Sequence, residues 1–286
     1  MKKNLLYWII IFMGVSVFVG CSSEEDFHPS IFSSTDEEAG RTELDQWIWD
    51  EFTSKYNIEI KYRWDDFEAN QEYVLVPPME EKVRPFLETI IKGWIEPYEA
   101  STAGPTFFKE MSPKQIMLIG SAGYNADGTF LLGEAERGNK ITMFNLNGSD
   151  PTKANILELN LHNFHHEFIH VLHQTIEIPE AYELLSTADY TTDWSSMTSP
   201  NKKGFISKYA AMDVDEDFAE MIAWFIHDDE ALWQQRLAAG GDSYGSTILK
   251  TKEQIILNYM RNNWKIDLYQ IRAAVKNAKD EITGAN

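Results

Sequence analysis

Cysteine is almost absent from this 286-residue chain, which has a single one, at position 21. One thiol excludes an internal disulfide framework and a zinc site built from several cysteines, so any metal must be held by His, Asp and Glu. Basic residues are also scarce, because 25 Lys and Arg stand against 45 Asp and Glu and leave a net charge of −20. We therefore expect no binding to nucleic acid.

Long apolar runs are absent except at the N-terminus, where residues 5–19 are apolar apart from Gly14 and Ser16 and follow two lysines. The run is short for a membrane-spanning helix, which needs about 20 residues. A basic start, a short apolar core and a small residue at its end are typical of a secretory signal. We predict a lipoprotein signal peptide at residues 1–20, with an uncleaved membrane anchor as the alternative.

The lone Cys21 directly follows this run and Gly20. The segment resembles the lipobox of bacterial lipoproteins, although Phe18 and Val19 replace the commoner Leu and small residue. The resemblance implies that Cys21 is acylated and anchors the mature protein to a membrane. Residues 21–41 are rich in Ser, Glu and Asp, and predict a flexible acidic tether. Its acidic start resembles the signal that places Bacteroidetes lipoproteins on the outer face of the outer membrane.

Residues 42–286 are numerous enough for one large domain. Apolar residues recur at helical spacing in some segments and alternate in others, which predicts an α+β fold. The predicted helices before the central motif lie at 42–54 and 83–94, and those after it at 213–227, 230–239, 246–262 and 266–279. The predicted strands lie at 58–64, 72–76, 115–120, 129–135 and 140–146, the last two forming a hairpin across residues 137–139.

The central motif is H-E-x-x-H at residues 166–170, in a segment that predicts a helix. Positions i and i+4 share a helix face, so His166 and His170 can bind one metal ion. Glu167 then lies beside the metal without binding it, where it can take a proton from zinc-bound water. Apolar residues occupy the opposite side of this helix. We interpret His162, His165 and His173 as polar lining of a cleft rather than as ligands.

A third ligand is predicted downstream, where Glu216 and Glu220 are four residues apart on one helix face. The pattern resembles the E-x-x-x-D/E of gluzincins, which implies that Glu216 binds zinc and that Glu220 supports a histidine ligand from outside the coordination sphere. Asp189 or Asp193 is the alternative ligand, as in aspzincins. Metzincins are excluded because the Gly and His that they need after the second histidine ligand are absent.

The mature chain resembles the zinc-binding metallopeptidase lipoproteins of Bacteroidetes, which are often associated with SusD-like nutrient-uptake systems. Cys21 and residues 166–174 and 216–220 carry this resemblance. It implies a zincin-like metalloprotease fold, with a mixed-sheet upper lobe at about 42–176, which contains the H-E-x-x-H helix, and a helical lower lobe at about 177–286. In such a fold one strand pairs with an extended substrate, and residues 140–146 are our candidate.

A local similarity to the catalytic domain of anthrax lethal factor concerns the sequence E-D-F-A-E at residues 216–220, where the toxin has E-F-F-A-E. A tyrosine seven residues before the toxin's liganding Glu faces its metal site. Tyr209 lies seven residues before Glu216 here. The similarity implies that Tyr209 stabilises the oxyanion of the transition state. The alternative is that Tyr209 only packs beside Phe205 and Ile206.

Together these residues predict a cell-surface peptidase that holds one Zn²⁺ per chain and hydrolyses peptides or proteins. The alternative is a non-catalytic surface-binding lipoprotein of a nutrient-uptake system, built on the same scaffold and associated with SusC/SusD-like partners. The complete set of His166, Glu167, His170 and Glu216 favours the enzyme, because a decayed enzyme usually loses its base or a ligand.

Overall fold

A computed structural model of the protein describes residues 40–125, 128–136, 139–241 and 244–285. The predicted signal peptide, the lipidation site Cys21 and nearly all of the predicted tether lie outside the described residues. The chain divides into two units, residues 1–43 and 44–286, and the site discussed below belongs to the second. Within the described ranges, no helix is long and apolar enough to cross a membrane.

Helices dominate the described residues, and a four-stranded mixed sheet and a two-stranded sheet of β3 and β4 accompany them. The helices are α1 (Glu43–Ile48), α2 (Ser54–Tyr56), α3 (Glu80–Ile90), α4 (Glu96–Glu99), α5 (Gly104–Met111), α6 (Ala154–His173), α7 (Glu180–Glu183), α8 (Val214–His227), α9 (Glu230–Ala238), α10 (Tyr244–Trp264) and α11 (Leu268–Thr283). The strands are β1 (Glu59–Lys61), β2 (Gln115–Leu118), β3 (Gly123–Tyr124), β4 (Phe130–Leu131), β5 (Gly133–Glu136) and β6 (Lys140–Met143).

The main sheet has the strand order β1-β2-β6-β5. Strands β1, β2 and β6 are parallel, and β5 is antiparallel to β6 at one edge. The predicted antiparallel pairing is confirmed for β5 and β6, but the predicted strand at 129–135 is divided, and its first part, β4, pairs with β3 instead. The prediction that residues 140–146 pair with substrate is wrong, because β6 lies inside the sheet and both of its edges are already hydrogen-bonded. The edge strand on that side is β5.

Two further differences from the sequence prediction concern segments near prolines. No strand forms at residues 72–76, because the segment makes only isolated bonds to a neighbouring loop: Gly120 N–H donates to the Val76 carbonyl at 2.9 Å, and Val76 N–H donates to Ser121 Oγ at 3.1 Å. The two prolines that follow cannot donate to a ladder. Helix α5 was not predicted, and it begins at Gly104 with a proline in its first turn.

An aromatic cluster around Trp94 holds α6 in place. The Trp94 ring centroid lies 4.7 Å from that of Phe108, 4.6 Å from Phe164 and 5.1 Å from Phe168. All four side chains are fully buried. Each aromatic pair contributes about 0.5–1.5 kcal/mol beyond the area it buries. Because Phe164 and Phe168 belong to α6, the cluster fixes the rotation of that helix and turns its histidines toward α8.

Candidate metal centre

Helix α8 packs beside α6 and begins at a capping residue that its sequence supplies. The Asp213 carboxylate accepts a hydrogen bond from the Glu216 backbone N–H at 3.0 Å, which satisfies one of the free amides of the first turn. Acidic residues in that turn also interact favourably with the helix dipole. The cap therefore fixes where α8 starts, and with it the height at which Glu216 and Glu220 face the histidines of α6.

Three of the predicted ligands converge at this interface. His166 Nε2 lies 2.9 Å from Glu216 Oε2 and 3.1 Å from His170 Nε2, and His170 Nε2 lies 3.4 Å from Glu216 Oε2. Two ligand atoms each about 2.0–2.2 Å from a tetrahedral zinc ion are separated by about 3.3 Å. The size and chemistry of this triangle of donor atoms therefore fit one Zn²⁺ ion.

The second acid, Glu220, lies behind His166. Its Oε1 atom is 3.1 Å from His166 Nδ1, without the alignment of a hydrogen bond, and 3.0 Å from His162 Nε2. Its Oε2 atom accepts from Ser207 Oγ at 2.5 Å and from Trp224 Nε1 at 3.0 Å. His162, His166 and Glu220 also form a trio that could hold a metal. We favour the triangle with Glu216, because both Glu220 oxygens are already occupied by donors from the chain.

The protonation properties of the cluster also suit a cation. Burial lowers the pKa of His166, but contacts with Glu216 and Glu220 outweigh burial and raise it well above its usual range. Burial raises the pKa of Glu216 and of Glu220, but the neighbouring histidines outweigh it and hold both pKa values well below the usual range. The carboxylates are therefore ionised, and the centre attracts a positive charge.

His173 has a position that the sequence did not reveal. His170 Nδ1 and His173 Nε2 are 2.8 Å apart. Burial and nearby His170 lower the pKa of His173 to about 4, so His173 is neutral at pH 7 and its Nε2 can accept a hydrogen bond from His170 Nδ1–H. This tautomer leaves His170 Nε2 free for a metal. The i, i+3 spacing of His170 and His173 on the helix is the sequence feature that could have indicated this contact.

The other two histidines interpreted as cleft lining are also buried rather than exposed to a cleft. His165 is fully buried, and its Nε2 lies 3.0 Å from the Gly93 carbonyl. His162 is 7% exposed and contacts Glu220 as described. The interpretation of His162, His165 and His173 as lining is therefore wrong, because α8 and the segment around Gly93 cover this side of α6.

Glu167 lies beside the triangle, against β5. It is 6% exposed, and burial raises its pKa to about 6. A side-chain Cβ at Gly133 would lie 2.5 Å from Glu167 Oε1 and 2.8 Å from its Cγ, which is closer than real Cβ atoms approach. Only glycine at position 133 leaves room for the Glu167 carboxylate, and sequence alone gave no sign of this requirement.

Two cavities open onto Glu167, one of about 210 Å³ and one of about 300 Å³. Tyr209 lines both, and its ring centroid lies 5.8 Å from that of His166. Burial, followed by the charge of Glu216, raises the pKa of Tyr209, so its hydroxyl is a hydrogen-bond donor at neutral pH. The structure thus brings Tyr209 together with Glu167 and the three candidate ligands.

The alternative ligands Asp189 and Asp193 lie elsewhere. Asp189 Oδ1 pairs with Lys203 Nζ at 3.2 Å, and both aspartates line a different cavity. Within the described ranges, the groups of three or more His, Cys, Asp or Glu side chains close enough to share a metal do not include either one. The structure does not bring them to the histidines.

Comparisons with known proteins agree with this geometry. A family model described as "Putative zinc-binding metallo-peptidase" matches residues 37–269. A crystal structure of a protein described in the same terms, from Bacteroides caccae, superposes with a TM-score of 0.68 at 28% sequence identity, covering 88% of this chain and 96% of that one. No curated protein matches. The predicted α+β metallopeptidase fold is confirmed, and the chain belongs to the family described as putative zinc-binding metallo-peptidases.

Proposed function

We propose that this chain is a zinc-dependent peptidase that hydrolyses peptide bonds with Glu167 as general base. The observation that carries the proposal is the triangle of His166, His170 and Glu216 with a buried carboxylate beside it. A zinc ion held there would supply Lewis-acid chemistry, polarising a carbonyl and lowering the pKa of water. All other steps belong to side chains of the chain itself.

Glu167 moves the proton. With a pKa of about 6 it is ionised at neutral pH, and its carboxylate can accept a proton from the attacking water and then give it to the leaving nitrogen. The Tyr209 hydroxyl lines the same cavities and can donate to the carbonyl oxygen as that oxygen becomes negative. His173 and Glu220 hold the two ligand histidines in orientation.

The test separates metal binding from chemistry. Purified protein should contain about one zinc per chain, and Glu167→Gln should keep that zinc while hydrolysis of a peptide mixture falls by about 10²–10⁴-fold. Glu180→Gln, an exposed position on α7, is the matched control and should keep both. Hydrolysis that persists in Glu167→Gln would disprove the mechanism. Zinc without hydrolysis in the wild type would favour a surface-binding lipoprotein instead.

We further propose that the enzyme acts at the cell surface, attached to the outer membrane through a lipid on Cys21. The lone cysteine behind an apolar run supports this proposal. Metabolic labelling with a fatty-acid analogue measures the attachment, and Cys21→Ala should remove the label. A label that remains on the variant would argue for another attachment.

A further inference from the structure

The two cavities that open onto Glu167 differ in chemistry. The cavity of about 210 Å³ has two aromatic rings and an aliphatic side chain that the other cavity lacks, those of Phe130, Trp194 and Leu132, beside polar side chains that include Asn125, Asn163 and Glu220. The cavity of about 300 Å³ has acidic walls, formed by Glu134, Asp213, Asp215 and Glu216. Leu131, Gly133, Glu167 and Tyr209 line both. The cleft therefore offers different surroundings on the two sides of the group that would act on the substrate.

The aromatic side has rings that are available for contact. Trp194 packs edge-on against Tyr209 with centroids 5.1 Å apart, which holds the indole beside the candidate centre. Phe130 is 53% exposed and contacts Tyr124, whose centroid is 5.8 Å away. Exposed aromatic rings at the mouth of a cavity favour an apolar ligand, because its burial removes apolar surface from water.

The acidic side carries negative charge that the fold leaves partly uncompensated. Burial, together with the nearby charge of Glu136, raises the pKa of Glu134. Asp213 is engaged as the α8 cap, and Asp215 is exposed on the first turn of that helix. Where the cavities meet, Glu167 is almost fully buried and lines both of them, and its carboxylate makes no hydrogen bond to another described side chain. A buried acceptor without a partner, facing open space, indicates a ligand that supplies donors.

Strand β5 connects the two cavities, since Leu131 and Leu132 precede it and Glu134 belongs to it. Of the described strands, only β6 pairs with β5, so the other edge can accept an extended peptide. The side chains on the two sides of a bond held beside Glu167 would then reach different cavities.

We propose that the cleft selects extended peptides with a Lys or Arg side chain in the acidic cavity and a large apolar side chain in the aromatic cavity, on opposite sides of the cleaved bond. This inference rests on the proposed peptidase function. The net charge of −20 adds long-range attraction for such cationic peptides.

The test digests a randomised peptide library with the zinc-loaded protein and reads the cleavage sites by mass spectrometry. Lys or Arg should be enriched on one side of the bond and Leu, Phe or Met on the other. The double variant Glu134→Gln/Asp215→Asn should lower kcat/KM for a preferred peptide by about twofold to tenfold, as expected for partly exposed ion pairs. It should have no effect on the same peptide with Ser in place of the basic residue.

Phe130→Ala should lower kcat/KM about fivefold for peptides that carry the large apolar residue, and should not change the preference for Lys or Arg. Two exposed positions provide matched controls that should keep the wild-type preference: Glu59→Gln on β1, at the opposite edge of the sheet, and Phe67→Ala, which is 97% exposed. Cleavage without a preference, or a preference that the cavity variants leave unchanged, would overturn the inference and leave the peptidase function intact.

A binding measurement tests the selectivity of the cleft separately from peptide cleavage. Immobilised Glu167→Gln protein is incubated with the same library, and the retained peptides are sequenced. If the wild type cleaves none of the library, retention of basic and apolar peptides by this variant would disprove the peptidase and keep the selectivity of the cleft. Retention without selectivity would overturn the inference.

Discussion

Neighbouring carboxylates on α8, Glu216 and Asp217, point to different faces of the helix and meet cations in different ways. Asp217 Oδ2 is 2.5 Å from Lys252 Nζ, and neither side chain is exposed. Tyr190 donates to the same Asp217 oxygen at 2.9 Å, and Lys252 also donates to the Gly204 carbonyl at 2.8 Å. On this face of α8, which we call the closed side, the chain supplies both charges and most of their hydrogen bonds.

The face of α8 that carries Glu216 and Glu220, which we call the open side, has different partners. In the described part of the chain, the ion pairs of Glu216 and Glu220 are with histidines only. Histidine is neutral when it binds a metal, so the carboxylates then need a cation from solution. A buried carboxylate is structural where a lysine completes its site, and it is a candidate metal ligand where only imidazoles and a cavity face it.

The closed pair should dominate stability. Burial raises the pKa of Asp217 and lowers that of Lys252, so each charge depends on the other. Asp217→Ala strands the lysine, and we expect the free energy of unfolding to fall by about 3–5 kcal/mol. Glu216→Ala should change stability far less in metal-free protein while removing bound zinc. Urea unfolding in the presence of a chelator measures stability, and metal analysis measures bound zinc. Equal destabilisation by Asp217→Ala and Glu216→Ala would contradict the structural role assigned to Asp217 alone.

Tyr209, near Glu216, and Tyr190, which contacts Asp217, are expected to have different roles. Tyr209→Phe should lower kcat by about 10²–10³-fold with zinc content and Tm unchanged, because it removes a donor used only in the transition state. The same change at Tyr190 removes a hydrogen bond to buried Asp217, and should lower stability by about 1–3 kcal/mol without changing kcat per folded molecule. Steady-state kinetics and thermal unfolding of both variants distinguish these roles. Unchanged kcat in Tyr209→Phe would make Tyr209 a packing residue.

A substitution at Gly133 tests how closely β5 packs against the Glu167 carboxylate. Gly133→Ala must displace the Glu167 carboxylate, because the added Cβ would lie 2.5 Å from its Oε1. A shift of about 1 Å in a catalytic group can lower the rate about 10²-fold, and we expect that loss in kcat with zinc content retained. Gly128→Ala is the control, since its added Cβ meets no atom within 4 Å, although its positive φ adds backbone strain. Full activity in Gly133→Ala would mean that the carboxylate can relocate freely.

The smallest effects should come from residues that orient the ligand histidines. Glu220→Ala and His173→Phe should each weaken zinc binding by about 10–100-fold, less than Glu216→Ala. His173→Asn, whose side-chain oxygen can still accept from His170, should recover part of the loss. Competition with a chromogenic chelator measures these affinities. If Glu220→Ala released zinc more readily than Glu216→Ala, Glu220 would take the ligand role.

The local part of the site could be predicted from sequence, and the rest depends on distant contacts. His166, Glu167 and His170 share one helix turn, and Glu216 and Glu220 share another, so helical spacing was enough to group them. The role of Gly133 depends on β5 at the sheet edge beside α6, which no spacing shows. Lys252 reaches Asp217 across 35 residues of sequence. His173 was misinterpreted because its contact with His170 depends on side-chain rotamers that the helix pattern does not specify.

The Asp217–Lys252 pair has a consequence for how the protein acquires its metal. The pair and the Trp94 cluster hold α8 and α6 through contacts between side chains of the chain itself, and the donor atoms of His166, His170 and Glu216 lie within 3.4 Å of one another. We therefore expect zinc to load by ligand substitution, in which imidazole and carboxylate replace coordinated solvent, without a folding transition. Protein stripped with a chelator should then regain its activity when zinc alone is added, without refolding.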